Sequence, residues 1–401
     1  MRVIAFLFSQ FVSGVGDALL LFAFPAGLGM EFNDIRPAVL LWLIPGIAMF
    51  LSSFLAKIIS KRVAVARKDY GKLMIGIAIV ELITASLTFY FDSKLATIIL
   101  SGVFVFFYAF AKEGLPRLFY FVSIYRYFEE ESSYNKLLGY STSINILAGL
   151  AGTIFASYLV FKSSWRTGLL IDAITFLLIG FVILFFGRDV VPSTKVEKKV
   201  NIEPQEHNIE KTLSSDSRLR IIFYTAPILF CTNALAWNYI SLIAKDLKVF
   251  EVSMGILLIA ILRLPGILAG SYFYKLFESI PQKFLLIAPP VLAILSNILF
   301  LIFPSKLLFS TSILFQGFVY GVYWPTDTGV RNEITNQNKL IFFNSRVLKR
   351  LSLYQLASCV LALYIYSHTD YMEYLIPFSI LIPIVFLGLS FIEEKKWKFT
   401  R

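Results

Sequence analysis

The sequence predicts an all-α membrane protein: twelve transmembrane helices in two pseudo-symmetric six-helix bundles. Three observations predict it. Hydrophobic residues make up 57% of the 401 and charged residues only 16%, against about 45–50% and 25% in soluble domains. A chain this apolar has too little polar surface to cover itself in water, so lipid is its solvent. The second observation is one polar stretch, 188–220, between two long apolar blocks. The third is that the blocks resemble each other.

The elements follow in order. A hydrocarbon core of about 30 Å takes roughly 20 apolar residues as helix. Runs of that kind lie at 3–30, 37–59, 73–91, 95–116, 137–161 and 167–187. A second set lies at 221–244, 252–276, 284–303, 307–326, 351–366 and 374–392. The first run follows Met1-Arg2 like a signal peptide. It is too long for an h-region and has Asp17 at its centre, so it reads as a retained first span. The stretch 188–220 carries a dense mixture of Lys, Arg, Asp and Glu, with Pro192, Pro204 and almost no aromatics. It buries too little apolar surface to fold alone. It reads as a linker between an N-terminal bundle, 1–187, and a C-terminal bundle, 221–401.

Charge sets the expected orientation. With the N-terminus in the cytoplasm, the inner loops hold Lys57, Lys61, Arg62, Arg67, Lys68 and Lys72, the basic residues of 188–220, and the Arg331–Arg350 and Lys395–Arg401 groups. The outer loops hold only scattered cations such as Arg36, Lys94, Arg166 and Lys245. This is the positive-inside pattern of a multi-pass cytoplasmic-membrane protein with both termini cytoplasmic. The formal charge of +11 then needs no nucleic-acid partner.

The halves match at nearly constant offset. Trp42-Leu43-Ile44-Pro45-Gly46-Ile47 in the second span parallels Leu262-Arg263-Leu264-Pro265-Gly266-Ile267 in the eighth. Gly16-Asp17-Ala18-Leu19 parallels Thr232-Asn233-Ala234-Leu235. Glu113 to Arg117 parallels Asp327 to Arg331. Two parallel six-helix repeats joined by a long inner loop are an architecture of secondary transporters.

Asp17 is the sharpest site candidate. At 1.5 Å per residue it lies about 21 Å along its helix, near the midplane. A carboxyl there needs a cavity, a partner or its own proton. Gln10, Ser13 and Asp17 form one polar stripe at i, i+3, i+7. The alternatives are a proton carrier, a substrate contact, or a polar lock between helices. Glu81, central in the third span, is a second protonatable candidate or a buried structural partner. Asp172, six residues after Arg166, reads as an anchor at its helix start. Arg263, deep in the eighth span, needs a carboxylate or an anionic ligand: it reads as counter-ion to Asp17 or as a grip on an acidic substrate. Lys112 also falls within a span. Asn233 and Trp237 share one face of the seventh helix and suit a substrate cavity or plain packing.

Glu113/Arg117 and Asp327/Arg331 place acid four residues before base, the favourable order for a helical ion pair. They read as local pairs or as cytoplasmic gates that latch the outward-open state. Gly149, Gly152 and Ala156 permit close helix approach.

Several functions lack material. Cys231 and Cys359 sit in apolar runs and suggest neither disulfide framework nor metal site. His207 and His368 lie far apart in polar segments. Gly71-Lys72 lacks the rest of a phosphate loop. No nucleophile–base constellation suggests an enzyme, and no cofactor is expected.

Topology and repeat together resemble the major facilitator superfamily. Phe11-Val12-Ser13-Gly14-Val15-Gly16-Asp17-Ala18 and Leu170-Ile171-Asp172-Ala173-Ile174-Thr175-Phe176-Leu177 resemble its macrolide-efflux and siderophore-exporter branch. Two motifs depart from the family. In Ala56-Lys57-Ile58-Ile59-Ser60-Lys61-Arg62, Ser60 stands where the family has Asp. In the fifth helix, Thr153 stands where antiporters have Pro. The resemblance implies alternating access with a small-molecule substrate, a monomer, and protons as the coupling ion. It implies efflux of a drug-like or siderophore-like amphipathic compound; import of a metabolite or organic anion is the alternative. Lys112 and Arg263 would favour an anionic or metal-chelating substrate.

Overall fold

Helices account for nearly all of the described backbone because intrahelical bonds satisfy peptide groups without water. The computed structural model describes residues 2–34, 36–59, 67–91, 93–114, 134–187, 216–246, 248–276, 280–332 and 337–369. Among them are eleven helices and no strand. Helix α1 is Arg2–Phe32. It is followed by α2 (Arg36–Ile59), α3 (Arg67–Leu87), α4 (Lys94–Ala109, continued by the π turn Phe110–Gly114), α5 (Tyr134–Phe161) and α6 (Trp165–Phe186). The second set is α7 (Ser217–Asp246), α8 (Val252–Leu276), α9 (Gln282–Ile302), α10 (Lys306–Asn332) and α11 (Gln337–Thr369). Nine helices among the described residues are long and apolar enough to cross a membrane. Large side chains such as Phe89, Ile99, Tyr158, Phe185, Leu299 and Leu307 are exposed, as a lipid-facing belt requires.

Local chemistry sets the helix ends. Asn33 adopts a left-handed φ of 46° and closes α1 through its N–H to Met30 O, the αL stop that Asn tolerates. The Ser93 hydroxyl accepts from Ala96 N at the start of α4, and Ser305 from Leu308 N at the start of α10. Asp216 accepts from Arg218 N ahead of α7. Interior prolines, Pro45, Pro227, Pro265, Pro289, Pro290 and Pro325, are tolerated because neighbouring helices and local adjustments re-satisfy the freed carbonyls.

The packing repeats with a period of six helices. The pairs α1–α5, α2–α4 and α3–α4 recur as α7–α11, α8–α10 and α9–α10. The two sets meet through α2 against α11 and α5 against α8, which exchange under the same shift. Polar bonds cross that meeting. Ser345 Oγ donates to Ser53 O at 2.8 Å, Gln355 Nε2 to Trp42 O at 3.0 Å, and Ser157 Oγ to Ser253 O at 2.7 Å. Glycine sets the closest approaches. A Cβ at Gly266 or Gly270 would collide with the α10 backbone at Leu314 and Phe318, which is small-residue packing between membrane helices.

Several boundaries differ from the sequence expectation. Helix α11 begins at Gln337, not near 351. Its first turns are basic, so a hydropathy scan stops short. Lys349 lies over Phe50 and Phe54, and Arg350 over Phe223 and Tyr224, which lets the cations stay on a packed helix. Helix α7 begins at Ser217, inside the stretch expected as linker. The expected span 374–392 and the rest of that stretch, 188–215, lie outside the described residues.

Candidate functional site

Helix α1 is seated on α5 and α6 by glycines. A Cβ on Gly152 of α5 would sit 2.6 Å from Val15 O, and one on Gly14 would sit 2.7 Å from Ala148 Cβ. On the α6 side, a Cβ on Gly16 would sit 2.5 Å from Thr175 Oγ1 and 2.6 Å from Asp172 Oδ1. Farther along, Trp165 fills the space left by Gly27. Its indole Nε1 donates to Glu31 Oε2 at 2.7 Å, and Arg166 Nη2 to Glu31 Oε1 at 2.5 Å.

This seat fixes the polar stripe of α1. Lys112 of α4 reaches it and forms an ion pair with Asp17. Lys112 Nζ also donates to Ser13 Oγ at 2.7 Å and lies 5.6 Å from the centroid of the Phe176 ring. Tyr108 OH donates to Asp17 Oδ1 at 3.3 Å. Both charged groups sit at breaks in α-helical register. Leu19–Ala23, just past Asp17, is a π turn, and Lys112 lies within a second one, Phe110–Gly114. A π turn inserts a residue and re-aims the side chains around it; such turns recur at functional sites.

Two further carboxyls lie behind this pair. Glu81 of α3 and Asp172 of α6 are completely buried. None of their four carboxyl oxygens has a hydrogen-bond partner. Both are within electrostatic reach of Asp17 and Lys112, and Glu81 of Asp172. Asp172 is therefore no anchor at a helix mouth. It is two turns into α6, against the backbone of α1.

The remaining candidates divide. Ser13, Asp17 and Lys112 are brought together, with Glu81 near them; Gln10 continues their stripe one turn earlier, half-buried. Arg263 of α8 has its guanidinium 5.0 Å from the centroid of the Tyr320 ring on α10, while Asp17 has Lys112 as its ion-pair partner. Asp327 and Arg331 do form the i, i+4 pair, at 2.9 Å, and it is buried. Arg331 Nη1 also donates to Asn344 Oδ1 at 2.6 Å, so the pair braces α10 against α11. The side chains of Asn233, Trp237 and Glu113, and all of Arg117, lie outside the described residues.

Sequence reasoning missed Tyr108 and misread Asp172. Tyr108 carries no signal among 20 tyrosines. Asp172 had one: it is a lone acid inside an unbroken apolar run.

Eleven helices among the described residues, packed as a six-helix repeat with a charged cluster buried between them, fit a multi-pass membrane transporter. The chain belongs to the Major Facilitator Superfamily, whose family model matches residues 6–339. Solved transporters share the fold. A variant of the nucleoside transporter NupG superposes with a TM-score of 0.68 at 12% identity, covering 97% of this chain and 99% of that one. A bacterial homologue of the iron transporter ferroportin, outward-facing, gives 0.62 at 14% identity, covering 99% and 100%. The E. coli fucose:proton symporter FucP gives 0.60 at 13%, covering 97% of each chain. No match emerged among curated protein sequences.

Proposed function

We propose that this transporter is a proton-coupled exporter of an amphipathic small molecule of drug-like or siderophore-like kind. It works as a monomer in the cytoplasmic membrane, with both termini inside. The halves 1–187 and 221–401, tied by 188–220, rock against each other to open a central cavity alternately to each side. Glu113/Arg117 and Asp327/Arg331 gate the cytoplasmic end. Gln10, Asn233, Trp237 and Arg263 contribute to the substrate cavity.

The observation that carries this reading is the Asp17–Lys112 ion pair, with Asp17 just before one π turn and Lys112 within another. A carboxylate and an ammonium held together in a poorly solvated space exclude other ligands from both. A proton on Asp17 releases Lys112, and an anionic or chelating group on the substrate can then take the ammonium. Proton and anion then load together; a basic group of an amphipathic substrate that displaces Lys112 from the unprotonated Asp17 instead competes with the proton for one carboxylate, which is a minimal antiport cycle. Glu81 is the second proton-coupling group. Joint loading of proton and anion, run toward the cytoplasm, gives import of an organic anion, and the two cations Lys112 and Arg263 are compatible with it.

The test is a transport screen in proteoliposomes with an imposed pH gradient, using fluorescent amphipathic dyes and catecholate chelators as probes. Asp17→Asn keeps the shape and removes the titration, so gradient-driven accumulation is lost. Accumulation that persists in Asp17→Asn would make Asp17 structural.

A further inference from the structure

We propose that Glu81 of α3 and Asp172 of α6 form a second proton-binding site, sealed behind α1, that exchanges its proton with the Asp17–Lys112 pair. Its role in transport rests on the reading of Asp17 as the coupling carboxyl; its existence as a proton site does not.

Three observations carry it. The first is burial without partners: both residues are completely buried and their four carboxyl oxygens accept and donate no hydrogen bond. An ionised carboxylate in that setting is strongly disfavoured, and two adjacent ones more so. The second is the charge inventory. Among the described residues, the charged groups within reach of the pair are Asp17 of α1 and Lys112 of α4. The other titratable side chain there is Tyr108 of α4, bonded to Asp17. Three carboxyls thus share one ammonium, and that ammonium is engaged by Asp17 and Ser13. Neutrality of the group requires two bound protons.

The third observation is the connection to α1. Asp172 Oδ1 lies 2.6 Å from where a Gly16 Cβ would be, so the carboxyl touches the α1 backbone one residue before Asp17. One turn on, Phe176 carries the ring under Lys112. Asp172 and Phe176 stand at i and i+4 on one face of α6, and that face connects the sealed carboxyls to the ion pair. A shift of α1 on its glycine seat changes both contacts at once.

The step is a proton transfer. An O–H bond on Asp172 or Glu81 breaks and one forms on Asp17. The Asp17–Lys112 pair opens, and the ammonium turns to the carboxylate left behind. The charge of the four groups is unchanged. Two interacting carboxyls of this kind titrate as a unit.

Infrared difference spectroscopy on the purified full-length protein tests this without any substrate. Spectra are taken in H2O and D2O from about pH 5 to about pH 9, a span in which exposed carboxyls are ionised. Wild type is expected to show a protonated-carboxyl stretch at about pH 7 that shifts in D2O and fades as pH rises. Glu81→Gln and Asp172→Asn, both near-isosteric, each remove part of it, and the double variant removes it. Asp17→Asn moves its titration. The wild-type band needs no variant, so misfolding of one does not empty the test. Absence of that band in wild type overturns the proposal. So does a band that both variants leave intact, or one constant across the pH range, which marks a sealed structural lock. Transport persisting in Asp17→Asn sinks the coupling reading while leaving the band, so the two failures are distinguishable.

Discussion

Removing either member of the Asp17–Lys112 pair strands the other. Lys112→Met keeps the length of the side chain and removes the charge, so the Asp17 carboxylate keeps Tyr108 but loses the ammonium. Asp17→Asn leaves the ammonium with Ser13 and the Phe176 ring. Breaking a fully buried pair costs about 3–5 kcal/mol. Here the side chains keep 27% and 19% exposure, and each residue keeps one neutral hydrogen bond, so about 2–3 kcal/mol is expected from each single change. In the double variant no charge remains to be stranded, and most of that penalty disappears. The coupling is then about 2 kcal/mol, within the range seen for residues in contact. Unfolding entropy of about 2.1 cal/mol/K per residue over 401 residues makes 2–3 kcal/mol about 3 °C in Tm. Cys359 is buried in the fold, 1% exposed, so a thiol-reactive dye reports unfolding in detergent. Both singles should melt about 3 °C low, and the double variant above the sum of their losses. Strict additivity would refute the pairing and with it the site's central geometry.

Arg331→Met leaves Asp327, 2% exposed, without its cation and Asn344 without its donor. A loss of about 3–5 kcal/mol is expected in the same dye assay. If the pair also gates, thiol labelling of cavity cysteines from the cytoplasmic side rises; unchanged labelling leaves it as a brace of α10 on α11. At the opposite end of α1, burial pushes the Asp34 carboxyl up, but hydrogen bonds from Arg36 and Lys94 outweigh it and hold it below the ordinary carboxylate range. A folded-state value that is depressed adds stability above the unfolded value and loses it as pH falls through the folded one. Asp34→Asn should therefore cost less than about 1 kcal/mol at pH 7, because its partners are half exposed, and should flatten the acid limb of a melting profile. Orientation is checked by tags within 188–215 and at the C-terminus, which should react only after the membrane is breached from outside; labelling of intact cells would reverse the assignment.

Hydropathy and charge were enough to read the class, because a bilayer imposes its thickness directly on the sequence. Eleven of the twelve expected spans fall on helices, and the twelfth, 374–392, lies outside the described residues. The repeat was legible for a related reason: Pro45-Gly46 and Pro265-Gly266 occupy equivalent places in equivalent helices, and local backbone chemistry survives in the linear record. Asp17 was legible too, since an acid in an apolar run is conspicuous by solvation alone. Its partner was not. Arg263 and Lys112 are equally improbable in a span; the reach of α4 to α1, beside two π turns, puts Lys112 on Asp17, and the packing of α8 on α10 sets Arg263 on Tyr320. Asp172 shows the same limit from the other side. Its neighbours in sequence suggested a helix mouth; its neighbours in space are Gly16, Glu81 and the ion pair, because α6 packs on α1 at a glycine and on α3. Solvation energy is a property of one residue and its run, so sequence carries it. Coulomb energy depends on distances between residues far apart in the chain, and tertiary structure alone determines those.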